Sequence, residues 1–136
     1  MIACDTLRNT IMAGMPQVLR CDPIAGGLRL RTVFEHPDGD LIDLFVVEED
    51  GGPTWLMDHG EALRHLDSLG FDATNTPKKR SLLQDALANL AVQNQGGCLA
   101  LAVDTNDPKD FMTKLIRLGQ AMTRVGDGLP NRRLRS

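Results

Sequence analysis

The stretch Leu28-Arg29-Leu30-Arg31-Thr32-Val33-Phe34-Glu35-His36-Pro37-Asp38-Gly39-Asp40-Leu41-Ile42-Asp43-Leu44-Phe45-Val46-Val47 decides the fold. At its centre, Asp38-Gly39 supplies the positive φ angles that a tight hairpin turn demands, and strand-like runs flank it on both sides. On the upstream side Leu28 and Leu30 alternate with Arg29 and Arg31, the period-two signature of a half-buried strand, and Thr32-Val33-Phe34 shifts the phase as a bulge would. On the downstream side Leu41–Val47 is apolar on both faces over most of its length, which places it centrally in a sheet with helices over one side. Further along, Glu48-Glu49-Asp50-Gly51-Gly52-Pro53 reverses the chain again and Thr54-Trp55-Leu56-Met57 reads as a third strand, so an antiparallel meander is expected.

Helical spacing surrounds that meander. Upstream, Asp5-Thr6 can cap a helix carrying Leu7, Ile11, Met12 and Met15, stopped by Gly14 and Pro16. Cys21–Gly27 then reads as a turn-rich connection. Downstream, Asp58-His59-Gly60 caps a helix with Ala62, Leu63, Leu66 and Leu69 on one stripe and Gly70 as its left-handed stop. Thr76-Pro77 opens a longer helix with Leu82, Leu83, Ala86, Leu87, Leu90 and Ala91. Gly96-Gly97 turns the chain into Cys98–Val103, an apolar run that reads as a fully buried strand of the same sheet. Asn106-Asp107-Pro108 opens a last amphipathic helix with Phe111, Met112, Leu115, Ile116, Leu118, Met122 and Val125, and Gly126, Gly128 and Pro130 read as its end. The expected order is α-β-β-β-α-α-β-α, an α+β domain over residues 1–130 with a mobile basic tail at 131–136.

Composition narrows the function classes. A chain of 136 residues with 42% hydrophobic and 24% charged residues builds one core and is not disordered. Its apolar runs are too short to cross a bilayer, and Met1–Asp5 carries no basic region ahead of an apolar one, so no membrane association and a cytoplasmic location are expected. Cys4, Cys21 and Cys98 are widely spaced with no C-x-x-C pair, which reads as free, buried thiols and fits that compartment. The formal net charge of −3 gives little long-range attraction for phosphates, and four Phe, one Trp and no Tyr leave few platforms for stacked bases.

No phosphate loop, dinucleotide fingerprint, H-E-x-x-H helix or G-x-S-x-G elbow is present, so neither a cofactor nor a catalytic set is expected. Asp58, Glu61 and His65 form the richest polar cluster. Glu61 and His65 lie four apart, as metal ligands on one helical face would, whereas the simpler reading makes Asp58 an N-cap, Glu61 its capping-box partner and His65 a solvated residue. Asp38, Asp40, Asp43, Glu48 and Asp58 ring the meander and raise a metal-dependent nuclease or hydrolase as an alternative. That pattern needs a basic residue after the strand acid, and Glu48 is followed by Glu49 and Asp50. Lys78, Lys79 and Arg80, with Arg132 and Arg133 near the end, are the candidate contacts of a nucleic-acid-binding accessory module. Solvated surfaces explain them more simply.

From the Pro37-Asp38-Gly39-Asp40 hairpin through Leu56-Met57-Asp58-His59-Gly60-Glu61-Ala62-Leu63 to Leu66, Leu69 and Gly70, the chain resembles a family of uncharacterised domains found in bacteria and their phages. The resemblance runs from about Leu28 to Val125. That family more often has threonine where Met57 and Ala62 stand, while Asp58 and Gly60 match it. The resemblance implies a phage or mobile-element setting without supplying catalytic residues. The function expected is therefore a non-enzymatic domain that binds a host protein, a component of a defence complex, and blocks its surface. Glu48, Glu49, Asp50, Asp58 and Glu61 are the candidate partner-binding residues, an acidic surface imitating nucleic acid. The last helix, with Met112 and Met122 on its apolar side, is compatible with a homodimer.

Overall fold

Alternation of apolar and polar residues builds one sheet and leaves it covered on one side. The computed structural model of the chain describes residues 4–5, 7, 18–36, 39–49, 51–68, 70, 72 and 74–135, at 19 and 126–135 by backbone alone. Six strands, β1 (Val18–Ile24), β2 (Gly27–Glu35), β3 (Leu41–Glu48), β4 (Thr54–Met57), β5 (Gln93–Gln95) and β6 (Cys98–Val103), pair antiparallel throughout in the order β1-β2-β3-β4-β6-β5. Among the described residues three helices, α1 (Glu61–Ser68), α2 (Pro77–Ala88) and α3 (Pro108–Arg135), complete an α+β fold.

The deciding hairpin forms, though its connection runs over the five residues from 36 to 40, of which Pro37 and Asp38 lie outside the described residues. Leu28, Leu30 and Thr32 are buried while Arg29, Arg31 and Val33 face solvent. Register slips between Arg31 and Glu35, where the Thr32 hydroxyl donates to the Ile42 carbonyl at 2.8 Å and accepts the Phe34 N–H at 3.2 Å. A side chain thus satisfies backbone groups that the bulge leaves without ladder partners. The loop closes through His36 N–H to the Asp40 carbonyl and Gly39 N–H to the His36 carbonyl, both 2.8 Å, with Gly39 at φ 92°. Strand β3 takes the expected central position, its Ile42, Leu44 and Val46 inside and Phe45 and Val47 half-buried on the opposite face.

All three helices lie over the inner face, where Leu30, Leu44, Leu56 and Leu99 meet Leu66 of α1, Leu87 of α2 and Phe111, Leu115 and Leu118 of α3. Helix α3 touches α1, α2, β4 and β6 and closes the layer. Its start follows the expected cap, since the Asp107 carboxylate accepts the N–H groups of Lys109 and Asp110. Thr76 likewise caps α2 ahead of Pro77. Close packing at Gly119 fixes the tilt of α3, because a Cβ there would lie 2.7 Å from ring carbons of Phe34.

Several expectations give way. Strand β1 occupies what read as a turn-rich connection. It is an edge strand, and an edge tolerates Pro23, whose missing N–H would break an inner ladder. Strand β5 is three polar residues without hydrophobic alternation, held by a hairpin over Gly96 and Gly97 at φ 60° and 93°. Strand β6 is not buried on both faces, since Ala102 is exposed. The helix read from Asp5 to Met15 falls largely outside the described residues, of which Cys4, Asp5 and Leu7 are helical and Leu7 is fully buried. The order α-β-β-β-α-α-β-α is therefore replaced by six strands and three described helices. Helix α3 also continues through Gly126, Gly128 and Pro130 to Arg135, where an end and an irregular tail were expected. An interior proline loses one helical hydrogen bond and crowds the carbonyl four residues back, a penalty of about 3 kcal/mol that the helix here sustains without ending.

Cys4 and Cys21 are joined in a disulfide and Cys98 is the free cysteine, so reading all three as thiols is corrected. Spacing could not reveal the bond, because it depends on the segment at Cys4 coming back alongside β1. The compartment argument built on free thiols falls with it. No helix among the described residues is long and apolar enough to cross a membrane.

Two measurements check this account. Gly119→Ala, favourable for an isolated helix by about 1 kcal/mol, is expected to destabilise the protein by about 1–3 kcal/mol through overpacking against Phe34. A Phe34→Leu background should remove most of that loss in denaturant titrations. Reduction of the Cys4–Cys21 bond, which spans a sequence separation of 17, should lower unfolding free energy by about 3 kcal/mol, and alkylation of the folded, unreduced protein should label Cys98 alone.

Candidate functional site

The side of the sheet that bears no helix among the described residues is built from the alternate residues of the same strands. Pairing sets Asp22 beside Arg29, Arg29 beside Phe45, Phe45 beside Met57 and Met57 beside Ala100, a row crossing five strands. Val47, Trp55 and Ala102 form a second row next to it. The middle of this face is therefore apolar and aromatic, with Phe45, Val47, Trp55 and Met57 all half-buried. Val33, 42% exposed, adds an apolar side chain toward the hairpin.

At one flank two aspartates offset most of the charge of three arginines. The Arg31 guanidinium donates to both carboxylate oxygens of Asp43 at 3.0 and 3.3 Å, and Arg20 and Arg29 share Asp22. These exposed pairs add little stability but link β1 to β2 and β2 to β3 through side chains. At the other flank, the Trp55 indole N–H donates to Glu49 at 2.9 Å, which fixes the ring across the β3–β4 turn. His59 lies against Phe45 with ring centroids 4.1 Å apart, at the end where β4 passes into α1.

Asp58 anchors that end. Its side chain is completely buried, and its carboxylate accepts N–H groups from Gly60 at 2.8 Å, Leu99 at 2.9 Å and Ala62 at 3.0 Å. The aspartate caps α1 and ties it to β6, while His59 and Gly60, at φ 55° and 79°, turn the chain tightly enough for the carboxylate to reach its donors. Burial raises the Asp58 pKa above the ordinary carboxylate value, and the three N–H donors with the Arg64 charge oppose that rise.

The polar cluster read around Asp58 separates. Glu61 does not return to the cap: it meets His36, whose Nε2 lies 2.9 Å from its carboxylate. His65 is not solvated. It stacks on His36 with centroids 5.0 Å apart, its Nε2 buried without a hydrogen-bond partner. Asp58 thus points toward β6 and Glu61 toward the β2–β3 hairpin, so the ligand set Asp58, Glu61 and His65 does not converge. No group of three acid, histidine or cysteine side chains among the described residues is arranged to hold a metal ion.

The acidic partner-binding surface is dispersed as well. Asp58 is sealed in the core, Glu61 faces His36, Glu48 is half-buried and Glu49 holds Trp55, while Asp50 lies outside the described residues. The reason is local: a carboxylate near free backbone N–H groups or an indole satisfies them before it joins a surface field. Lys78, Lys79 and Arg80 do sit in the first turn of α2, and Arg80 donates to the Thr74 carbonyl at 2.8 Å. The side chains of Arg132 and Arg133 lie outside the described residues. On α3, Met122 is 1% exposed and Met112 is partly buried against the core.

A cleft of about 380 Å³ lies between the start of α1 and the β5–β6 turn, with Arg64, Asp67, Asp72 and Cys98 in its walls. Burial raises the Cys98 pKa, as does the nearby Asp58 charge, against the opposing pull of Arg64. The thiol is therefore held away from its reactive thiolate form.

Residues 32–125 match the model of a domain of unknown function, DUF1828, and the chain belongs to that family. No curated protein and no solved structure gave a match. The matched region begins inside β2 and ends inside α3, so it holds the hairpin, the Asp58 anchor and most of the helix-free face, while β1 and Cys4–Cys21 precede it.

Asp58→Ala strands three backbone donors and should lower stability by about 2–4 kcal/mol, read by chemical denaturation. A raised pKa means the fold binds the Asp58 proton more tightly than the unfolded chain does. Its contribution is then complete at acid pH and declines as pH rises through the raised value. The stability of the natural chain relative to Asp58→Asn should consequently fall from about pH 4 toward neutrality. A difference that grew with pH would show that the donors outweigh burial.

Proposed function

We propose that this chain is a non-enzymatic protein-binding domain that docks through the helix-free face of its sheet. The observation that carries the reading is the character of that face: Phe45, Val47, Trp55 and Met57 at its middle, with three arginines paired to Asp22 and Asp43 at its flank. Aromatic residues, methionine and arginine are the types that protein interfaces favour, and an aromatic held in place loses little freedom on binding. A phosphate backbone draws on cations with uncompensated charge, and Asp22 and Asp43 leave only one such charge among Arg20, Arg29 and Arg31, which favours a protein partner over nucleic acid. In the specific form of this proposal the domain comes from a phage or mobile element and covers a surface of a host defence component. Support for that setting is the family resemblance, and support for the mode of action is a flat apolar face in place of a convergent reactive set.

The test compares capture of native-host proteins by the natural chain, by Trp55→Ala and by Phe45→Ala, with circular dichroism and melting curves confirming that all three fold. A direct partner should be retained by the natural chain and weakened by about 30-fold or more by either substitution, the size expected for a central interface residue. Capture of the same proteins by all three chains overturns the docking face. Salt-sensitive retention of nucleic acid by the natural chain alone would replace the protein with a phosphate-bearing partner.

A further inference from the structure

The two edges of the sheet differ in how they are protected. Strand β1 carries Pro23, which cannot donate to an added strand, together with the charged Arg20 and Asp22. Proline and charge are common means of discouraging unwanted strand pairing. Strand β5 has neither, only the neutral Gln93, Asn94 and Gln95. In its hairpin Gln95 opposes Cys98 across the two-residue turn and Gln93 opposes Ala100. Antiparallel alternation then turns the Asn94 N–H and carbonyl away from β6, toward the outer edge.

Beside this edge lies a groove of about 500 Å³ between β5 and α2. Leu83, Leu87 and Val92 supply its apolar surface, and Arg80 with Thr74 stands at one end. Arg80 gives one N–H to the Thr74 carbonyl, and a guanidinium has five. The basic first turn of α2, which opposes the helix dipole and has no part in the core, thus presents a cation at the mouth of an apolar groove.

We propose that the β5 edge and this groove take an extended, apolar and acidic segment of a partner protein as a seventh strand. Its backbone pairs with Asn94, an alternate apolar side chain seats against Leu83, Leu87 and Val92, and a carboxylate meets Arg80. Backbone pairing provides attachment and alternate side chains provide selectivity, as in other strand additions to a sheet edge. Charge separates this occupant from others near at hand. The end of this chain, with Arg132, Arg133 and Arg135, carries the wrong sign for Arg80, and the β5 edge of a second copy, the neutral Gln93–Gln95, would bring it no carboxylate. The site lies on a different surface from the helix-free face and does not depend on the reading given to that face.

The probe is a displayed library of short random peptides selected on the full chain, with the selected sequences synthesised and measured by fluorescence anisotropy. Selected peptides should combine alternating apolar residues with Asp or Glu. Arg80→Glu should weaken them by about tenfold or more, and exchanging the peptide acid for lysine should restore binding to that variant. N-methylation of the peptide nitrogens facing β5 should abolish binding, while methylation of the alternate set is tolerated, a readout that leaves the protein unaltered. Phe45→Ala and Trp55→Ala should bind the peptides unchanged, so this site and the helix-free face can fail separately. Failure to select peptides, equal binding to Arg80→Glu, equal tolerance of both methylation patterns, or loss of binding in Trp55→Ala would each overturn the proposal.

Discussion

One buried carboxylate connects three parts of this molecule. Where β4 ends, Asp58 accepts backbone N–H groups from the first turn of α1 and from Leu99 on β6, a residue 41 positions away. It joins the end of a meander strand to a strand that arrives only after two helices. Without an acceptor there, the N-terminus of α1 and one position of the β6 ladder would both lose a partner inside the protein, where water cannot substitute. The penalty is the desolvation of an acid, visible in its raised pKa. The same turn directs His59 outward onto Phe45, so the anchor inside and the aromatic surface outside share one local geometry.

Coverage of the sheet on one side follows from the order of the elements. Four consecutive antiparallel strands are joined by short reversals, so none of these connections sends a helix over their outer face, and both α1 and α2 fall in the single crossover between β4 and β5. Helix α3 then closes the covered side. Residues of even number on β3 enter the core, while Phe45 and Val47 remain at the surface. An apolar outer row would favour aggregation if left bare, and its flanks answer this with ion pairs and with Trp55 tied to Glu49.

Local signals translated directly into structure wherever the physics was local. The turn at Gly39, the phase shift at Thr32, the caps at Thr76-Pro77 and Asp107-Pro108 and the stop at Gly70 each depend on a few neighbouring dihedrals and hydrogen bonds. The cap at Asp58 was legible for the same reason, but its third donor was not. Glu61 satisfied the capping-box spacing and went instead to His36, because a ring delivered by the hairpin offers a stronger partner than a cap already served by Asp58. His65 read as solvated since its surroundings include His36, which is far away in sequence. Strands β1 and β5 escaped notice because an edge strand is specified by the neighbour that it pairs with, and its own composition can be polar or contain proline.

By itself, the amino-acid order determined the α+β class, the central hairpin, the positions of the helix starts and most of the side chains that enter the core. Those properties follow from periodicity, turn chemistry and capping, which act over a few residues. Tertiary structure alone decided that Cys4 meets Cys21, that the acids of the meander part company, and that Phe45 and Trp55 share a surface with paired arginines. Each of these depends on strand register and on segments returning from far along the chain, and no short-range rule carries that information.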